Sequence, residues 1–206
     1  MSVLSRKKQS GAVLLLMLLL LTLGALAWSL SAEPPRRDLG TAETLATAKE
    51  VLLGYAAFYP DARDNRKGFV PGHLPCPDMD ESLGYEGVES GNCGIKGISA
   101  LGHFPWRSLG VPPPRDSEAE CLWYLVSGNH KAEPKADLLY PDTAGLIEIV
   151  SVDGKTAIAK EVVAVLFAPG KPLPGQARQH RTSADGKESE CRRDYDASRY
   201  LEHAAP

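Results

Sequence analysis

The sequence predicts an α+β chain: a long amino-terminal helix, with a membrane half and an amphipathic half, packed on a small antiparallel β-sheet. Three observations predict it. Residues 12–32 carry no charge, the flanking charges being Lys8 and Glu33. From Thr41 to Tyr59 apolar residues recur at Leu45, Ala48, Leu52, Tyr55 and Tyr59, a helical spacing. Beyond Pro60, Gly and Pro punctuate short runs of branched and aromatic residues, the pattern of strands joined by turns.

The uncharged segment is about twenty residues long, what a helix needs to cross a hydrocarbon core of ~30 Å. Inside lipid only a helix satisfies every N–H and C=O of a single segment. Arg6, Lys7 and Lys8 precede it, so the amino terminus is expected on the cytoplasmic side and the chain from Glu33 onward outside. The division is then a basic leader, 1–11; a transmembrane helix, 12–32; a kink and amphipathic helix, 33–60; and a head with a polar tail, 61–206. Pro34 and Pro35 are expected to kink or end the first helix. Thr41 is placed as the N-cap of the second and Pro60 as its stop.

In the head, 121–126 and 145–151 read as strands. Asp153-Gly154 signals a hairpin, and 156–159 begins the return strand. The run 161–168 is the most apolar outside the membrane segment and reads as a central strand, stopped by Pro169-Gly170. The tail from Gln176 to Asp196 carries Arg178, Arg181, Arg192 and Arg193 and reads as a solvated loop over the sheet or a mobile end, anchored at Cys191.

A net charge of -3 with scattered basic residues gives no argument for nucleic acid. Four cysteines, 76, 93, 121 and 191, all fall on the outer side, where two disulfides are expected. Four cysteines allow three connectivities. The preferred one closes a short Gly-rich loop with Cys76–Cys93 and ties the tail down with Cys121–Cys191. Zinc is disfavoured because no Cys-x-x-Cys pair occurs and the histidines, 73, 103, 130, 180 and 203, stand apart. No Gly-x-Ser-x-Gly elbow, His-Glu-x-x-His pair or phosphate-binding glycine loop is present, and paired cysteines do not serve as nucleophiles. The chain is read as a non-enzyme, without a catalytic residue.

Basic residues, then Gly11, then an unbroken apolar helix resemble the prepilin signal of type IV pilins and type II secretion pseudopilins. The resemblance implies cleavage between Gly11 and Ala12 by a prepilin peptidase, and methylation of the new amino terminus. It implies a single long helix packed on a small sheet, a single-pass inner-membrane protein with a periplasmic head, and assembly through the helix with other pilin subunits in the lipid of that membrane. The family's Glu at mature position five is Leu16 here, as in minor subunits at a filament tip. The head segments Leu-Pro-Cys-Pro-Asp, Phe-Pro-Trp-Arg-Ser-Leu-Gly and Glu-Cys-Leu-Trp-Tyr are similar to those of bacterial pilin-like membrane proteins. The implied function is a minor structural subunit in initiation, tip formation or adhesion. Two rivals stand beside it: a soluble periplasmic binding module released after Ala27, where Ala25-Leu26-Ala27 suits signal peptidase, and a membrane-anchored hydrolase.

The loop between Cys76 and Cys93 is acidic. Asp78, Asp80, Ser82, Glu86 and Glu89 match several ligand offsets of a calcium loop. Leu83 occupies the place of the turn glycine, with Gly84 one residue late, so the loop is not an EF-hand. Some pseudopilins hold calcium in a loop, which makes these five the candidate ligands. The favoured reading is a solvated acidic loop pinned by a disulfide, with no cofactor.

Overall fold

A computed structural model describes residues 13–22, 36–62, 71–79, 85–133, 139–179, 189–192 and 194–201. The chain divides into two compact units, Met1–Asp38 and Leu39–Pro206. In the first, residues 13–22 form a helix, α1, with exposed leucines. Among the described residues no helix is long and apolar enough to cross a membrane. Residues 12 and 23–32 of the expected span lie outside the described residues.

Helix α2 runs Arg36–Ala62, longer at both ends than the sequence suggests. Its start directly follows Pro34-Pro35, and proline disfavours the helical conformation in the residue before it. Thr41 therefore lies inside the helix and is not its cap; its hydroxyl accepts the backbone N–H of Ser117 at 3.0 Å. Pro60 does not stop the helix either. A proline at 60 leaves the Ala56 carbonyl without a helical donor, and the N–H of Gly72 takes it at 2.9 Å.

Three strands form one antiparallel sheet in the order β1 (Ala100–His103), β2 (Trp123–Val126), β5 (Ala164–Phe167). β2 is central: Tyr124 faces Gly102 on one side and Leu166 on the other. This corrects the expectation that the run 161–168 is the central strand. β5 lies at the edge and is half-buried, whereas β2 is almost wholly buried. The first two residues of the run, Glu161 and Val162, belong to another strand. β3 (Ile147–Val150) and β4 (Ala157–Val162) form a separate antiparallel hairpin, with register shifts in their pairing. Glu161 has φ +58°, and after it the chain leaves β4 and enters β5. Opposite this break only glycine fits at 145, since a Cβ there would run into the Val162 carbonyl. Gly154 turns the hairpin at φ +67°.

The pleat sorts the β1–β2–β5 sheet into two faces. Tyr124 and Val126, with Ala164 and Leu166, join one core with Ala48 and Leu52 of α2, Leu74, Phe104 and Leu122. Trp123 and His103 lie on the other face, beside Tyr195 and Tyr200 of the carboxyl-terminal segment. The disulfides are Cys76–Cys93 and Cys121–Cys191, the preferred connectivity.

Candidate functional site

The carboxyl-terminal segment, residues 189–192 and 194–201, is a strap with almost no regular structure of its own. Only a 3-10 turn, Ala197–Arg199, is formed. Buried backbone N–H groups without a ladder need other acceptors. Glu86 supplies them: its carboxylate accepts the N–H of Cys191 at 2.6 Å, the N–H of Glu190 at 3.0 Å and the hydroxyl of Ser189 at 2.6 Å. Asp78 accepts the Gly87 N–H at 2.7 Å and the Tyr195 hydroxyl at 2.9 Å. Asp194 accepts the Gln179 N–H at 2.8 Å and is paired by Arg199 at 3.1 Å.

Two arginines of the tail converge on one buried carboxylate. Arg178 lies 3.3 Å and Arg192 3.2 Å from Glu120. The Arg178 side chain is only 1% exposed; its other donors reach the carbonyls of Gly170 and Arg199, and its guanidinium covers the Tyr200 ring at 4.7 Å. Neither arginine is a free surface charge, which corrects the expectation of a solvated tail, and Cys191 is one anchor among many. Arg181 and Arg193 lie outside the described residues.

Beneath the strap sits an aromatic cluster. The His103 ring is 4.4 Å from Trp123 and 5.0 Å from Tyr195, and Trp123 is 5.0 Å from Tyr200 and stacks on Phe167 at 6.4 Å. His103 Nε2 meets the Asp194 carbonyl at 3.0 Å. Burial holds the imidazole below its usual pKa, partly offset by that carbonyl and by the charges of Glu86 and Asp194. The Nδ1 of His103, the Nε1 of Trp123 and the hydroxyl of Tyr200 find no hydrogen-bond partner among the described residues.

Away from the strap the chemistry differs. Lys131 is buried and donates to the carbonyls of Cys93 at 2.9 Å and Ile95 at 2.6 Å; burial lowers its pKa. Burial also lowers the pKa of His130, and the neighbouring His73 lowers it further. Two open grooves border α2. One of about 510 Å³ is lined by Leu45, Lys49, Leu52 and Leu53 of the helix with Val163, Ala164 and Leu166. The other, about 410 Å³, lies between α2 and Pro112–Pro114.

Of the candidate calcium ligands, Asp80 and Ser82 lie outside the described residues. Asp78 and Glu86 turn to the strap, while Glu89 accepts the Tyr55 hydroxyl of α2 at 3.1 Å. Among the described residues no group of three or more His, Cys, Asp or Glu side chains is placed to hold a metal. Gly11 and Ala12 lie outside the described residues. Glu120 and Trp123 stand in the segment Glu-Cys-Leu-Trp-Tyr, His103 is one of the scattered histidines and Arg178 one of the tail arginines, and nothing in the sequence joins the four into one site. Glu120 beside Cys121, and Arg178 with Arg192 in the tail, held the only hint: charges clustered near a disulfide. No protein-family model, curated protein or solved structure matches the chain.

Proposed function

We propose that the chain is a minor pilin- or pseudopilin-like structural subunit. It enters the inner membrane with its amino terminus cytoplasmic, is cut by prepilin peptidase between Gly11 and Ala12, and keeps its head in the periplasm. Its role is initiation, tip formation or adhesion in a filament, through contacts of the apolar helix with other pilin subunits. One observation carries the reading: Arg6, Lys7, Lys8 and Gly11 stand directly before the uncharged run 12–32. The helical state of residues 13–22, an α+β head with a long helix against its sheet, and two disulfides suited to an oxidising compartment lend support. In lipid, helices associate by close packing, and Gly24, Ala25 and Ala27 would let neighbours approach.

A second reading, a soluble periplasmic binding module released after Ala27, draws support from the open aliphatic groove beside α2. Mass spectrometry of the mature amino terminus separates the two. A methylated start at Ala12, abolished by Gly11→Ala, is expected for the subunit. A soluble chain starting at Trp28, indifferent to Gly11→Ala, would overturn it in favour of the module.

A further inference from the structure

The edge of β5 carries unused hydrogen-bonding capacity. The parity of the ladder follows from two bonds. The Phe104 N–H donates to the Leu122 carbonyl, so the even residues of β2 bond to β1. The Ser127 N–H donates to the Val163 carbonyl, so the odd residues of β2 bond to Val163, Val165 and Phe167. The N–H and C=O groups of Ala164 and Leu166 therefore point away from the sheet, and no described residue pairs with them. The side chains of the same two residues line the 510 Å³ groove. Across it stand Leu45, Leu52 and Leu53 of α2, Leu53 being 52% exposed. Among the described residues Lys49 is the one charged residue lining the groove; it is exposed and forms no ion pair with another described residue.

We propose that this edge and groove are a docking site for a short extended segment of a partner protein, which adds to β5 as a further strand. Residues of the incoming strand opposite Ala164 and Leu166 exchange backbone hydrogen bonds with them. By the pleat, the same residues aim their side chains into the groove, so they are aliphatic. The segment ends in a carboxylate-bearing residue that meets Lys49, the charge complementary to that cation. The site belongs to the second unit alone and stands whichever reading of the amino terminus holds.

The test uses the full chain in lipid nanodiscs and a fluorescein-labelled Thr-Leu-Thr-Leu-Thr-Glu peptide, read by fluorescence anisotropy against empty nanodiscs. Saturable binding is expected. Methylating the two leucine amide nitrogens should weaken it by about tenfold or more, because those N–H groups face β5. Methylating two threonine amides instead, which face away, should change it little, at identical composition. Lys49→Glu, on an exposed position, should weaken binding by roughly three- to tenfold. Ala164→Pro removes one outward donor without touching the ladder and should weaken it as well. Absence of saturable binding overturns the proposal. Equal affinity for the two methylated peptides also overturns it, as does uptake of labelled oleate without peptide binding, either marking a groove that takes apolar matter of any shape. Unchanged affinity in Lys49→Glu overturns the carboxylate assignment.

Discussion

On one face of the β1–β2–β5 sheet, Tyr124, Val126, Ala164 and Leu166 meet the aliphatic side of α2; on the other, Trp123, His103 and Phe167 lie under an irregular strap. The helix brings its own backbone hydrogen bonds, so its face is closed chiefly by apolar contact, beside the bonds made at Thr41, Ala56 and Tyr55. Such contact is non-directional and leaves grooves on both flanks of α2. The strap brings unpaired N–H groups and charges, so its face needs acceptors in fixed places. Glu86, Asp78 and Glu120 supply them, and Cys121–Cys191 removes chain entropy besides. A face closed by geometry-specific bonds is the harder to reseal once one is cut.

The largest expected effect tests the covalent part of this difference. Cys121–Cys191 spans 70 residues and Cys76–Cys93 spans 17. Replacing the first pair by alanine should cost about 4 kcal/mol, and the second about 3 kcal/mol, by loop-closure entropy. Urea unfolding of the two double variants measures both, and a reversed order would break the comparison. Glu120→Ala leaves Arg178 buried without its carboxylate, a loss of ~3 kcal/mol. That lies at the low end for a cut buried pair because the Gly170 and Arg199 carbonyls remain as acceptors. On the helix face, Leu52→Ala should cost only ~2 kcal/mol, since the neighbouring groove lets the site relax. A cost equal to that of Glu120→Ala would show α2 as tightly closed as the strap.

The smallest effect is in pH dependence. The His103 pKa is lowered in the folded state, so the unfolded chain binds its proton more readily. The stability this group leaves intact above pH 6.5 is lost progressively as pH falls below it toward the folded value. The unfolding free energy should therefore decline from neutral to acid. His103→Phe, which keeps the ring stack, should flatten the decline. His130, beside His73, shifts in the same direction, so a residual slope is expected in that variant. A slope unchanged in His103→Phe would assign the acid sensitivity to groups outside the strap's aromatic cluster.

The sequence revealed what rests on periodicity and turn chemistry. α2, β2 and the Asp153-Gly154 hairpin follow from spacing and residue type. β1 did not show itself, because Ala-Leu-Gly-His has little strand preference; its place is fixed by bridging between His103 and Asp78 and by Gly102, where a Cβ would strike the Asp78 carbonyl region. The edge position of β5 was hidden as well. Apolar content counts burial but does not record that one run, broken at Glu161, serves two sheets. The strap's partners were the least legible part. Glu86 and Cys191 are far apart in sequence, and a carboxylate that caps a distant backbone looks like any solvated one. The acidic loop read as ligand oxygens because ligand offsets and hydrogen-bond acceptors draw on the same residue types.

The separation of the cysteines along the chain also imposes an order of events. A polypeptide that emerges amino end first offers Cys76 and Cys93 to an oxidant early, while Cys121 must wait for Cys191, 70 residues later. Until then Cys121 is a lone thiol beside two that are about to pair. Trp123 and His103 stay uncovered over the same interval, so a chaperone or disulfide isomerase would meet its client with that aromatic surface in view.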